Sequence, residues 1–104
     1  MSTDNTSSSK HALKILEATQ SATGQWYPAD DSVDADLCLC FKVAPGGGAV
    51  TIEGAYDKDD EVTVTVVDGE TDDCVVYARN QPCFAKVRAS VADPTGTATV
   101  WLVR

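Results

Sequence analysis

Four cysteines are the side chains of this 104-residue chain best suited to metal binding or redox chemistry: Cys38, Cys40, Cys74 and Cys83. Four thiolates can surround a zinc ion, but zinc ligands usually come as Cys-x(2–4)-Cys pairs on turns. Cys38 and Cys40 are instead two positions apart in the middle of a strand pattern. Neighbouring thiols on one face of a strand are also too constrained in direction to bridge each other easily. We therefore favour reduced, mostly buried thiols over a metal site or a disulfide.

Two acidic runs are the second candidate for chemistry. They contain Asp57, Asp59, Asp60 and Glu61, and then Asp68, Glu70, Asp72 and Asp73. Carboxylate oxygens bind Ca²⁺ in loose geometry, but neither run has the spaced Asp/Asn pattern with glycine of a calcium loop. Paired carboxylates also hydrolyse glycosidic bonds when they are held across a cleft, for which a domain this small offers little room. We interpret both runs as solvated loops and expect no metal or other cofactor.

Three consecutive glycines, Gly46 to Gly48, could cradle a phosphate if they opened onto a helix N-terminus. The residues that follow, AVTIEGAY, alternate as a strand does, so the glycines are interpreted as the turn of a hairpin. His11 is the single histidine, and no serine or cysteine signature of a nucleophile surrounds it. We therefore predict no catalytic residues and a chain that is not an enzyme.

The net charge of −8 is unevenly distributed. Thirteen of the sixteen acids but two of the eight basic residues lie between Asp30 and Asp73, so this segment carries −11 and the remainder +3. Such a field repels phosphate backbones, which excludes nucleic acid as a predicted partner. The residues left for a basic face are Arg79, Lys86, Arg88 and Arg104. No apolar run approaches the roughly 20 residues that cross a bilayer, and no signal peptide is recognised, so no membrane is expected.

Alternation of apolar and polar residues predicts the strands that must position these groups. His11 to Thr19 fits a helix or a strand, and the strand is favoured because the segment is short and Thr23-Gly24 follows soon after it. The other predicted strands are the short aromatic strand GQWYP ended by Pro28, Leu37 to Val43, Ala49 to Tyr56, a strand with Val62, Val64 and Val66 inward that stops at an Asp68-Gly69 turn, Cys74 to Ala78, Cys83 to Val91, and Thr97 to Val103. The breaks between the last three are Asn80-Gln81-Pro82 and Asp93 to Gly96.

Seven or eight short strands with regularly spaced turns indicate an all-β fold, an antiparallel β-sandwich that is immunoglobulin-like or jelly-roll-like. Residues 12–104 form this single domain, and residues 1–11, which are polar and rich in Ser and Thr, form an extended N-terminal arm.

Five aromatic side chains could line a platform for a sugar: Trp26, Tyr27, Tyr56, Tyr77 and Trp101. Their alternation with apolar neighbours more simply makes them core or subunit-contact residues. Exposure of the rings of Trp26, Tyr27 and Tyr56 would favour the platform, and burial would count against it.

The order of three segments, LKILEATQSATGQWYPAD, GGGAVTIEGAYD and CFAKVRASVADPTGTATVWLV, resembles the small β-sandwich structural proteins of tailed-bacteriophage virions. These proteins often carry a TATG turn early, a VTIEGS-type strand in the middle, and an Arg-bearing strand before a final TVTV-type strand. The resemblance covers about residues 12–104. It departs after Asp57, where such proteins often continue with Gly and Trp and this chain has Lys58-Asp59.

The resemblance implies a non-enzymatic virion structural protein, assembled in the host cytoplasm, that decorates or cements the outer surface of a phage head and stabilises it. The alternative is a carbohydrate- or receptor-binding module of a head fibre or tail. The implied partners are the major capsid protein or other virion proteins, and further copies of this chain in a homo-oligomer such as a trimer. The residues of the arm expected to contact a partner are Ser2, Thr3, Asp4, Asn5, Thr6, Ser7, Ser8, Ser9, Lys10 and His11.

Overall fold

The computed structural model of the chain describes residues 12–29, 38–59, 62–79 and 84–103, and every regular element in these ranges is a β-strand. In chain order the strands are β1 (Ala12–Ala18), β2 (Ala22–Thr23), β3 (Tyr27–Pro28), β4 (Cys38–Ala44), β5 (Ala49–Ala55), β6 (Val64–Glu70), β7 (Cys74–Arg79), β8 (Lys86–Ala92) and β9 (Ala98–Val103). The predicted arm, residues 1–11, and the predicted break Asn80-Gln81-Pro82 lie outside the described residues.

The strands form two antiparallel sheets that pack on each other. One has four strands in the order β1-β9-β4-β7, and the other has five, in the order β2-β8-β5-β6 with β3 also paired to β8. Apolar side chains of both sheets form one buried cluster, whose largest fully buried members include Phe41, Ile52 and Leu102. The predicted all-β sandwich is confirmed. The described part of the chain has nine strands because β2 and β3 are separate two-residue ladders.

The pairings are nested around one hairpin. β5 and β6 form the hairpin at the centre, β4 pairs with β7, β2 and β3 pair with β8, and β1 pairs with β9. Two further pairings, β9 with β4 and β8 with β5, join these antiparallel pairs into the two sheets. This is the strand order of a jelly roll, so the topology selects that alternative over the immunoglobulin-like one.

The predicted alternation is confirmed in three central strands. Their buried side chains are Leu39, Phe41 and Val43 in β4, Val50 and Ile52 in β5, and Val87, Ala89 and Val91 in β8. Successive side chains of a strand point to opposite faces, so the residues between these positions lie on the outer faces of the sandwich. Among them are Lys42 in β4 and both Lys86 and Arg88 in β8.

The three glycines connect the two sheets, and the predicted hairpin is wrong. β4 and β5, which flank the glycines, belong to different sheets and do not pair. Gly46 and Gly47 have φ angles of 63° and 87°, which glycine adopts without strain. The turn is held from outside, because the N–H groups of Thr95 and Gly96 donate to the Gly46 carbonyl at 2.9 and 2.8 Å. A strand follows as predicted, so the loop does not open onto a helix N-terminus.

β6 is irregular, and its predicted inward face is wrong. Val62 and Val64 are 73% and 39% exposed, whereas Val67 is buried and Val66 packs partly against the core. The pairing of β6 with β5 contains two register irregularities. Each such irregularity shifts which side of the sheet the following residues face, so strict alternation does not extend along this strand.

The Asp68-Gly69 dipeptide lies inside β6 and is not the predicted turn. The strand continues to Glu70. Gly69 has a φ of 65°, and its N–H donates to the Thr51 hydroxyl at 3.2 Å. A glycine in this conformation within a ladder bends the strand in the manner of a bulge, which explains why a turn signal is found within a strand.

Gly54 in β5 gives space to the Phe84 ring. A Cβ atom at position 54 would lie 2.6 and 2.8 Å from carbons of that ring. Since packed cores resist overfilling, we expect Gly54→Ala to lower the free energy of unfolding by about 1–3 kcal/mol, measured by urea denaturation. At Gly96 the nearest atom to an added Cβ is 3.7 Å away, so Gly96→Ala is the control and should change stability by less than about 0.5 kcal/mol. Equal stability of the two variants would contradict the close contact.

Candidate functional site

Several residues predicted from the sequence lie outside the described part of the chain. They are the arm from Ser2 to His11, the loop residues Asp60 and Glu61, and Cys83. The predictions made for them, including contact of the arm with a partner, stay predictions.

Two residues of the acidic runs, Asp57 and Glu70, accept hydrogen bonds from backbone N–H groups close to them in sequence. The Asp59 N–H donates to Asp57 Oδ1 at 3.0 Å, and Glu70 Oε2 accepts from the N–H groups of Thr71 and Asp72 at 3.1 and 3.2 Å. Such bonds are typical of turns that Asp and Glu side chains stabilise. Within the described ranges, no three His, Cys, Asp or Glu side chains come together in a way that could hold a metal ion.

Cys40 and Cys74 are half-buried free thiols on opposite sides of the four-stranded sheet. Cys40 is opposite Tyr77 and shares the outer face with Lys42, whereas Cys74 is opposite the buried Val43 and packs against the core. The sheet therefore lies between these two thiols, which would have to face the same ion in a four-thiolate zinc site. Burial, reinforced by the charge of Glu70, raises the pKa of the Cys74 thiol, which keeps it protonated and poorly reactive at neutral pH.

The most distinctive arrangement of functional groups lies on the outer face of the five-stranded sheet, where an indole ring meets two cations. Trp26 precedes β3, and the ring centroid is 4.6 Å from Lys86 Nζ and 4.5 Å from the Arg88 guanidinium carbon. Attraction between a cation and an aromatic face is effective within about 6 Å. We call Trp26, Lys86 and Arg88 the indole–cation cluster.

The backbone around β3 holds Trp26 in this position. Tyr27 and Pro28 pair with Val87 and Lys86 of β8, and the Gly24 N–H donates to the Ala89 carbonyl at 2.8 Å. Position 24 must be very small, since a Cβ there would lie 2.9 Å from the Ile15 carbonyl oxygen. The segment therefore follows β8 closely, and Trp26 lies over the outward side chains of that strand.

Arg88 is held by a carboxylate on the neighbouring strand. Its Nε donates to Glu53 Oε1 at 2.9 Å, and the Thr63 hydroxyl donates to Glu53 Oε2 at 3.0 Å. The hydrogen bond from Arg88 is the main reason why the pKa of Glu53 is lowered, despite the opposing effect of burial. Both oxygens of Glu53 are thus engaged, and the guanidinium is fixed beside the Trp26 ring.

Lys86 has a different environment. Its ammonium donates to the Lys58 carbonyl at 2.7 Å, and in the described part of the chain no carboxylate lies within 4.0 Å of Lys86 or Lys58. Both lysines border a shallow groove of about 330 Å³ with Trp26, Tyr27, Pro28 and Ala85. The groove combines a mainly apolar surface with two ammonium groups, which suits a partner that carries both apolar groups and negative charge.

A smaller arrangement of the same kind lies on the outer face of the four-stranded sheet. Lys42 Nζ is 5.0 Å from the Trp101 ring centroid. The neighbouring Lys14 pairs with Glu17 at 3.3 Å. This face has one cation on its indole instead of two, and it provides a matched reference for the indole–cation cluster.

None of the three aromatic side chains whose exposure would favour a sugar-binding platform is buried. Trp26 and Tyr27 are half-buried, and Tyr56 is 46% exposed and stacks on Phe84 with ring centroids 4.9 Å apart. From the sequence alone, Lys86 and Arg88 are predicted only as possible members of a basic face. Their outward position could be inferred from the alternation with Val87 and Ala89, but their contact with Trp26, sixty residues away along the chain, had no local signal.

Comparison of the chain with protein-family models, with curated proteins and with solved structures gives no match. The resemblance to phage structural proteins therefore depends on its strand and turn patterns. Among the described residues no helix is long and apolar enough to span a membrane.

The Glu53–Arg88 pair should make stability depend on pH. Because the pKa of Glu53 is lowered on folding, its contribution is present above the pKa of the unfolded state and is lost as pH falls through the folded pKa. We expect Glu53→Gln to be about 1 kcal/mol less stable than the wild type at pH 7, and this difference to shrink at pH 3.

Urea denaturation at the two pH values measures this effect. Glu17→Gln is the matched control, because Glu17 and Lys14 are each about half exposed and such pairs contribute little. A loss of stability in Glu53→Gln that is equal at pH 7 and pH 3 would contradict the assignment.

Proposed function

We propose that this chain is a non-enzymatic structural protein of a phage virion, which decorates the outer surface of the head and stabilises it. The observation that carries the proposal is the indole–cation cluster on an outer face of a rigid jelly-roll sandwich. The resemblance of the strand and turn segments to phage structural proteins is the reason for proposing a phage head as the binding partner. Jelly rolls serve in both capsid proteins and lectins, so the fold agrees with the proposal without selecting it.

The cluster has the composition of a protein-docking site. Trp and Arg are enriched among the residues that dominate binding energy in protein interfaces, especially when they are held in place before binding. Here Arg88 is fixed by Glu53, and Trp26 lies over β8. Little side-chain freedom would therefore be lost when a partner covers them.

Charge favours an acidic patch on the partner. The chain as a whole carries −8, but Lys58 and Lys86 border the groove, and neither has a carboxylate within 4.0 Å in the described part of the chain. Opposite charge across an interface steers association and sets orientation, and the many acids elsewhere on the chain would disfavour docking through other surfaces. The polar arm, residues 1–11, would add contacts to capsid subunits.

Stabilisation of the shell follows from mass action. A protein that binds the assembled head more tightly than its free subunits shifts the equilibrium toward the assembled form. No catalytic group is needed for this role, since the energy comes from binding alone.

Co-sedimentation with empty heads, reconstituted from the major capsid protein of the same phage, tests the proposal. We expect Lys86→Glu to weaken attachment by about tenfold or more, because it removes a cation from the cluster and adds a like charge against the acidic partner. Lys42→Glu makes the same change beside Trp101 on the other sheet and should leave attachment unchanged. Equal loss in both variants, or attachment of neither the wild type nor the variants, would contradict the proposal.

The same assay tests the arm. Removal of residues 1–11 is expected to weaken attachment, because the arm would supply contacts that the sandwich lacks. Unchanged attachment of the truncated chain would refute that role and leave the cluster as the docking surface.

A second candidate is the carbohydrate- or receptor-binding module, favoured by the partial exposure of Trp26 and Tyr27 beside the groove. The two lysines of the groove would then select an acidic sugar. Titration with an oligosaccharide of uronic acid, followed by tryptophan fluorescence, distinguishes this candidate. Saturable quenching that is lost in Lys86→Glu and absent with a neutral oligosaccharide would support it over capsid docking.

A further inference from the structure

The sandwich has four borders at which a strand lacks a neighbour within the described part of the chain. They are β1 and β7 in the four-stranded sheet, and β6 and the β2–β3 segment in the five-stranded sheet. An edge strand presents unpaired N–H and C=O groups and pairs readily with another chain, so proteins usually protect it with charges, proline, bulges or short length.

Three of the four borders carry such protection. β1 has a register irregularity in its pairing with β9, and its exposed side chains include Lys14 and Glu17. β2 and β3 have two residues each, and β3 contains Pro28. β6 has irregular pairing with β5 and contains Gly69 with its φ of 65°.

β7 has no proline, bulge or glycine, it is not short, and its one charged residue is the terminal Arg79. Its sequence, CVVYAR, contains no glycine, proline or lysine, and all six residues pair with β4 in one unbroken register. On its outer face Val75 and Tyr77 are 52% and 72% exposed, although both are large and apolar. An edge that is regular and apolar is expected to be covered by another strand.

We propose that β7 pairs antiparallel with β7 of a second copy of this chain, about a two-fold axis at Val76. The two four-stranded sheets then form one continuous eight-stranded sheet. Closed two-fold symmetry uses the same strand of both copies and leaves no edge at the junction to recruit further chains.

The register is selected by the order of residues along the strand. Residues opposite each other in an antiparallel pair lie on the same face, so outer-face residues of one copy must oppose outer-face residues of the other. An axis at Val76 places Val75 opposite Tyr77 of the second copy. If the register is extended by one residue before β7, the positions of Asp73 and Arg79 of the second copy are also opposite each other, twice by symmetry.

The neighbouring registers lack this complementarity. An axis at Val75 places Asp73 opposite Tyr77, and an axis at Tyr77 places Arg79 opposite Val75. Aromatic–valine and opposite-charge pairs are the combinations that stabilise antiparallel strands. Because one register satisfies both, β7 together with the preceding Asp73 is complementary to itself, which favours a second copy over an unrelated partner.

Analytical ultracentrifugation of the full chain over a range of concentrations tests the pairing. We expect a monomer–dimer equilibrium for the wild type. Asp73→Arg and Arg79→Asp each place like charges opposite each other, and each should raise the dissociation constant about tenfold or more. The double variant, with the two charges exchanged, should return the dissociation constant close to that of the wild type.

Two further variants test whether the dimer forms at the β7 edge and not at the opposite border of the sheet. Tyr77→Lys introduces the charge that protects natural edges and should yield a monomer. Glu17→Arg makes the same charge change as Asp73→Arg on the opposite border of the same sheet and should leave the dimer unchanged. Circular dichroism of every variant checks that the fold is retained, and rescue in the double variant excludes a general loss of folding.

A wild type that stays monomeric at about millimolar concentration would overturn the pairing, as would a trimer, or a dimer insensitive to Asp73→Arg and Tyr77→Lys. The pairing is independent of the proposed attachment to a phage head, since the indole–cation cluster lies on the other sheet. Failure of Lys86→Glu to affect attachment and failure of Asp73→Arg to affect dimerisation are therefore separate results.

Discussion

The nested antiparallel pairing around the β5–β6 hairpin is the constraint on which the rest of the structure depends. When the nested strands pack as two sheets, every second side chain of the central strands enters one shared core. Phe41, Ile52 and Leu102 are almost completely removed from water there. The other side chains must then lie on one of two outer faces. Because the core between the sheets is filled with apolar side chains, the groups available for recognition lie on these faces and in the loops.

β8 illustrates how this constraint generates the candidate site. Val87 and Ala89 anchor the strand in the core, so Lys86 and Arg88 necessarily point outward. The same strand pairs with β5 on one side, which supplies Glu53 to Arg88, and with β3 on the other, next to Trp26. Three distant parts of the sequence thus meet on one strand, and the ion pair with Glu53 holds Arg88 beside the Trp26 ring.

The sequence predicts those features that depend on local alternation. The inward faces of β4, β5 and β8 follow from a two-residue period that burial of one face enforces. The fold class follows from the number of such strands and the turns between them. The turn at Asp93 to Gly96 likewise follows from its Asp-Pro and Gly residues, and the structure contains it between β8 and β9.

The features that depend on pairing could not be predicted in this way. β6 loses its alternation because its ladder with β5 is irregular, and a bulge depends on two strands instead of one. The sequence around Gly46 and Gly47 is typical of a hairpin turn, but the strand after them joins the other sheet. Hydrogen bonds from the N–H groups of Thr95 and Gly96 to the Gly46 carbonyl stabilise this connection. The approach of Trp26 to Arg88 is set by the partner strand of β3 and has no signal near either residue.

The two proposals have a geometric consequence when they are combined. A two-fold axis that relates antiparallel edge strands runs perpendicular to the sheet, so both copies present the same face in the same direction. The five-stranded sheets of the dimer would therefore expose their two indole–cation clusters on one side. A partner with repeated binding sites, such as a capsid surface, would be engaged by both clusters at once, and the second contact would form at the high effective concentration that the first creates. Weak attachment by each shallow groove would then suffice for stable decoration of such a surface.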